Sequence, residues 1–271
     1  MKVKTIISGL ILWMIMLTIT PESGASTPHS KLKEEYVTYA SNGTTLKGYV
    51  VFDENIKGKR PAILVVHEWW GLNDYAKMRA RMLANLGYIA MAVDMFGDGK
   101  TAANPQEAQA LTKPFYQDPQ LDKSRMDAAI DRLKEFPQTD PSKMAAIGYC
   151  FGGSVVLNSA KLGADLKGVV SFHGGLAGVP ATKGLLKAKI LVCHGADDKF
   201  VSAADVNTFR RQLDSIGADY TFKVYPNATH AFTNPNSTAV GKQFNMPIAY
   251  NAEADKNSWN EMKAFLQKLF H

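Results

Sequence analysis

Gly148-Tyr149-Cys150-Phe151-Gly152-Gly153 follows the apolar run Met144-Ala145-Ala146-Ile147 and precedes Ser154 to Leu162. The run reads as a strand and the following segment as a helix, so the hexapeptide stands at a strand-to-helix junction. Its form is Gly-x-Cys-x-Gly, the pattern of a nucleophile elbow with cysteine in place of serine. The turn is too tight for side chains two positions before and after the nucleophile, which accounts for Gly148 and Gly152. The helix that follows aims its N-terminus at position 150, where the aligned peptide dipoles favour a thiolate. A cysteine after a buried strand is also a common inert core residue. The motif therefore acquires meaning only if the chain supplies an acid, a base and an oxyanion site in a compatible order.

Working outward, the flanking chain alternates strands and helices. Ala62-Ile63-Leu64-Val65-Val66 is a continuous apolar run of the kind buried on both faces of a parallel sheet. Helical spacing marks Asn73 to Leu86, Leu121 to Phe136, Ala203 to Ile216 and Ser258 to Phe270. Strands are expected at Tyr88–Val93, Gly168–Phe172, Ile190–Cys193 and Tyr220–Tyr225. Residues 94–120, with Pro105, Pro114 and Pro119, read as irregular. Before all of these, Tyr36–Ala40 and Leu46–Phe52 flank the turn signal Ser41-Asn42-Gly43-Thr44 and predict a hairpin. The expectation is an α/β fold: a mostly parallel sheet covered by helices on both faces, with an N-terminal β-hairpin.

The chain has 271 residues, 46% hydrophobic and 21% charged, with a net charge of +6. The basic residues are dispersed and form no run interleaved with aromatics, so nucleic acid is not an expected partner. Lys2 and Lys4 precede the apolar run Ile6 to Ile19, then Pro21 and the small residues Ser23-Gly24-Ala25. The run is shorter than the ~20 residues that span a bilayer and reads as a secretory signal peptide cleaved after Ala25. Residues 1–25 are thus a signal, 26–34 a short polar tether, and 35–271 one domain, periplasmic or secreted, with no membrane association after cleavage. The two cysteines, Cys150 and Cys193, each end an apolar strand and are read as free, Cys150 reactive and Cys193 structural.

Unusual residues gather after the predicted strands, where parallel sheets carry their sites. Gly195-Ala196-Asp197-Asp198 follows one strand, and Thr229-His230-Ala231-Phe232 follows the last. Either aspartate can orient an imidazole, and the order Cys150, acid, His230 is the nucleophile-acid-histidine order of α/β-hydrolases. His67-Glu68-Trp69-Trp70-Gly71 follows the Ala62 strand. His67-Glu68 does not continue as a helical zinc motif, so no metal is expected.

Together, the Cys150 elbow, the His67–Gly71 segment, the Asp198 turn and the His230 loop resemble the dienelactone hydrolase family, from roughly Glu35 to the C-terminus. The resemblance implies an α/β-hydrolase fold and cleavage of carboxylic esters or lactones by a Cys-Asp-His triad without a cofactor. It favours Cys150 as nucleophile, Asp198 over Asp197 as acid and His230 as base. Glu68 matches the family glutamate thought to control the thiol's protonation, although a glutamate can also simply pair with a lysine. The oxyanion donors expected are the N–H groups of Phe151 and Trp69. Trp70 and Phe96, with Trp69, either wall a substrate pocket or pack the core. His173 either lines the pocket or is a satisfied structural histidine. One departure stands out. Where lactone-cleaving members carry a basic residue, this chain has Asp94-Met95-Phe96-Gly97-Asp98-Gly99-Lys100. A monomeric enzyme acting on a small-molecule ester or lactone is the leading reading; a non-catalytic binding protein on the same fold and an acyltransferase are the alternatives.

Overall fold

The computed structural model describes Met1 and residues 30–271. The expected signal peptide, and the tether up to Pro28 and His29, lie outside the described residues. The tether's expected end at 34 moves inward, because β1 (Leu32–Ser41) already pairs from Leu32. β1 and β2 (Thr44–Asp53) form the hairpin. Its turn residues Asn42 and Gly43 take φ of 48° and 75°, the left-handed pair a two-residue hairpin requires.

The remaining strands are β3 (Arg60–Val66), β4 (Ile89–Val93), β5 (Thr139–Tyr149), β6 (Gly168–Phe172), β7 (Lys189–Gly195) and β8 (Tyr220–Tyr225). They build one eight-stranded sheet in the order β1-β2-β4-β3-β5-β6-β7-β8. β1 and β2 run antiparallel to their neighbours, and every pairing from β4 to β8 is parallel.

Two hydrophobic cores lie on the two faces. Along β3, Ala62, Leu64 and Val66 face one core while Ile63 and Val65 face the other. The first core is closed by α2 (Pro105–Gln117), α3 (Pro119–Lys134), α4 (Phe151–Lys161) and α5 (Ala203–Ile216), through residues such as Phe115, Met126, Val155 and Phe209. The second is closed by α1 (Asp74–Asn85) and α7 (Ala252–Phe270), through Leu83, Met262 and Leu266. The strands are thereby buried on both faces, as their unbroken apolar runs require.

Four helices differ from the sequence reading. α2 forms where irregular chain was expected, because Pro105 sits at its first turn and Asn104 caps it by accepting the Glu107 N–H. Pro119 likewise opens α3, two residues ahead of the expected start. α6 (Ser237–Phe244) was not foreseen; it buries only Ser237 and Gly241 and so carries almost no apolar signature. α7 begins at Ala252 rather than Ser258, capped by Asn251.

Candidate active site

The junction of β5 and α4 places Cys150 at φ 53°, ψ −115°, a conformation L-residues rarely adopt. Neighbouring glycines make it possible. A Cβ on Gly148 would lie 2.0 Å from the Gly152 carbonyl oxygen, and one on Gly152 would lie 2.4 Å from that of Val66. The Gly152 N–H in turn donates to His67 O at 3.1 Å, which ties the elbow to the end of β3. Cys150 is half-buried at the first turn of α4, which is where helix N–H groups and the dipole favour an anion.

Asp198 and His230 converge on it from the ends of β7 and β8. His230 Nδ1 donates to Asp198 Oδ2 at 2.9 Å, and Asp198 is further fixed by the Phe200 N–H at 2.9 Å. Asp197 is exposed, so the aspartate in contact with the imidazole is Asp198. Cys150 lines the same cavity as this ring and interacts with it electrostatically. Burial pulls His230 down, but the Cys150 sulfur and Asp198 outweigh it and push the imidazole up to about 10. An imidazolium between a sulfur and a carboxylate can hold a proton that a thiol has released.

Glu68 follows β3, is buried, and accepts from Asn234 Nδ2 at 2.6 Å. Burial pushes its carboxyl up to about 7, against the Asn234 bond and the nearby His230. Its neighbour His67 is also buried and is held down at about 4 by that burial. Its Nε2 accepts the Met95 N–H at 3.3 Å, leaving Nδ1 to donate to Glu68 O at 2.5 Å. Among the described residues, neither the Phe151 N–H nor the Trp69 N–H finds an acceptor. The two amides are the first of α4 and the second after His67, the segments that meet through the Gly152–His67 bond.

A cavity of about 450 Å³ opens over Cys150, lined by Glu68, Trp69, Trp70, Phe151, His230 and, from α2, Tyr116. Trp69 and Trp70 meet edge to face with centroids 5.0 Å apart. Two residues expected to line a pocket do not line this one. Phe96 is buried in the first core, packed on His67 at 4.8 Å and on Phe151 at 5.6 Å. His173 is buried beneath the elbow, at φ 42°. Its Nδ1 accepts the Cys150 N–H at 3.1 Å, so Nε2 carries the proton and donates to Thr233 Oγ1 at 2.7 Å. Burial, with His230 and Arg79 near, keeps His173 well below the ordinary imidazole range and therefore neutral.

The departure at Asp94 also has a structural account. Its carboxylate accepts the backbone N–H groups of Lys47, Phe96, Gly97 and Gly99 at 2.8–3.0 Å. It holds the loop after β4 against the hairpin and does not face the cavity.

Several contributors carried no local sequence signal. Thr233 joins His173 to Tyr75 Oη at 2.6 Å, and Arg79 donates to Thr233 O at 2.7 Å and to Asp255 Oδ1 at 2.6 Å. Phe200, Met246 and Ile248 also line the cavity. A hint existed for Thr233 and Asn234, since they directly follow the His230 loop.

The sequence and the fold are matched in known proteins. The family model described as the dienelactone hydrolase family matches residues 46–270. A solved dienelactone hydrolase-like promiscuous phosphotriesterase from metagenomic libraries is 36% identical, with a TM-score of 0.84, over 89% of this chain and 99% of its own. A protein called usf from Aquifex pyrophilus is 29% identical over 86% of this chain and 98% of its own. A putative carboxymethylenebutenolidase of Aquifex aeolicus is 29% identical over 74% of this chain and 87% of its own.

Proposed function

The chain belongs to the dienelactone hydrolase family, and from that premise we propose that it hydrolyses a carboxylic ester or lactone through a thioester on Cys150. The observation that carries this reading is the His230 imidazole, bonded to the Asp198 carboxylate and facing the same cavity as Cys150.

The steps follow from that arrangement. The Cys150 proton passes to His230, and Asp198 fixes the ring's tautomer and balances its charge. The thiolate adds to the substrate carbonyl. The oxyanion is received by the N–H groups of Phe151 and Trp69. As the carbon–oxygen bond to the leaving group breaks, His230 returns its proton to the departing oxygen, leaving a thioester. Water, losing a proton to His230, then attacks the thioester; the carboxylic acid leaves and Cys150 is regenerated. Glu68, poised near neutrality beside these groups, sets the charge against which the thiolate forms.

Purified protein is expected to hydrolyse a short-chain aryl ester, and Cys150→Ala to abolish turnover. Quenched-flow mass spectrometry is expected to find an acyl adduct on Cys150. Turnover by Cys150→Ala at the parent rate sinks the mechanism. A binding protein would give neither turnover nor adduct, and an acyltransferase would form the adduct yet turn over only with an added acceptor.

A neutral phosphotriester is a second substrate to test. The 36%-identical relative is a promiscuous phosphotriesterase, and a thiolate can attack phosphorus as it attacks carbon. Export completes the reading: Lys2, Lys4 and the Ile6–Ile19 run direct secretion, with cleavage after Ala25. Intact mass of the protein recovered from its native host tests this, and a retained Met1 overturns it.

A further inference from the structure

We infer that the cavity over Cys150 selects uncharged esters and rejects those that carry a carboxylate on either side of the scissile bond. This rests on the ester-hydrolase reading and narrows its substrate class.

The lining decides it. The walls are Trp69, Trp70, Phe200, Met246 and Ile248, and no lysine or arginine is among the lining residues. Besides Cys150, itself an anion when it reacts, the lining groups that carry charge are both engaged: Glu68 with Asn234, and His230 with Asp198. A substrate carboxylate entering here would lose its hydration without gaining a cation, and it would approach Glu68, a group of like charge when ionised. Burying an anion unpaired is among the costliest changes a site can impose.

The remaining polar lining is neutral: Gln109 and Tyr116 on α2, and Ser154 on α4. Thr112, which also faces the cavity, spends its hydroxyl on Ala108 O at 2.9 Å. These groups can orient a carbonyl or ether oxygen but cannot neutralise a carboxylate. The loop after β4 offers no substitute, because both oxygens of Asp94 are taken by backbone N–H groups and Lys100 is exposed outside the cavity lining. Two aromatic walls meeting edge to face, in a cavity of about 450 Å³, suit a flat ring with a short acyl chain.

The test is a matched pair of aryl esters that differ only by a carboxylate on the ring. The neutral ester is expected to have a kcat/KM higher by about a hundredfold or more. Gln109→Arg, a change at an exposed position of α2, is expected to narrow that ratio by about tenfold by giving the carboxylate a partner. Equal rates, or faster cleavage of the charged ester, overturn the inference while leaving the hydrolase reading intact. The same pair titrated into Cys150→Ala, followed by quenching of tryptophan fluorescence, separates the two claims. Preferential binding of the neutral ester without turnover in the parent enzyme supports the selectivity and sinks the hydrolase reading. Equal binding with no turnover overturns both.

Discussion

Asn234 donates to Glu68 at 2.6 Å across 166 residues of sequence, joining the loop that carries His230 to the segment that follows β3. The carboxyl it holds is pushed by burial up to about 7, above the ordinary 4.5. The consequence for stability has a definite sign. Between pH 4.5 and 7 the folded protein keeps a proton at Glu68 that the unfolded chain has released, so stability falls as pH rises through that window and levels off above it. The loss is about 3 kcal/mol by order of magnitude. Glu68→Gln is expected to remove this component. Urea unfolding of both proteins at pH 5 and pH 8 measures it, and the difference between them isolates position 68 from other titrations. Asn234→Ala, which deletes the bond favouring the ionised form, is expected to carry the falling window to higher pH.

The His230–Asp198 bond predicts a loss confined to chemistry. Asp198→Asn preserves shape but lets the ring turn to the wrong tautomer and no longer balances the imidazolium. A fall in kcat on the order of 10⁴-fold is expected, with KM nearly unchanged. Steady-state kinetics on one neutral ester decides it, and Asp197→Asn, at an exposed position, serves as the adjacent control with little effect.

Arg79 is buried at 2% exposure and bonds both Thr233 O and Asp255. Thr233 in turn holds His173, whose Nδ1 receives the Cys150 N–H. Arg79→Met leaves Asp255 and the Thr233 carbonyl without their partner and is expected to cost about 3 kcal/mol in urea unfolding. Because the network ends under Cys150, the proposed nucleophile, kcat should also fall at fixed KM. Arg79→Lys, able to reach one of the two acceptors, should restore part of each. Loss of stability with unchanged kcat in the folded fraction would limit Arg79 to a structural role.

Much of this candidate site was legible because each proposed reacting group stands in the segment that follows a strand. The apolar runs ending at Val66, Tyr149, Cys193 and Tyr225 bring Glu68, Cys150, Asp198 and His230 to one edge of the sheet, and parallel pairing does the rest. What stayed hidden depended on side-chain direction or on capping. Phe96 and His173 also follow strands, yet one turns into the core and the other under the elbow, and strand position does not encode that choice. α2 was obscured because its prolines look like breakers until Pro105 is seen at a helix start. The Arg79 network joins α1, the His230 loop and α7, and no local pattern announces a contact across 176 residues.

The elbow itself gives the sharpest test of fold against function. A Cβ at Gly152 would meet the backbone oxygens of Val66 at 2.4 Å and His67 at 2.7 Å, and neither can retreat without unpairing β3 from its neighbours. Gly152→Ala is therefore expected to shift α4 away from β3, breaking the Gly152–His67 bond and carrying the Phe151 N–H with it. By contrast, Gly43 sits in the hairpin turn at φ 75°, with nothing within 4 Å of an added Cβ. Gly43→Ala should cost only the local strain of a left-handed alanine, about 1 kcal/mol, with activity per folded molecule retained. Thermal unfolding and kcat measured on both variants separate the cases. Gly152→Ala should lose kcat even in the fraction that folds, because the displaced amide is one of the two donors of the proposed oxyanion site. Full activity in a folded Gly152→Ala protein would mean that the close packing of α4 on β3 is not what positions Cys150.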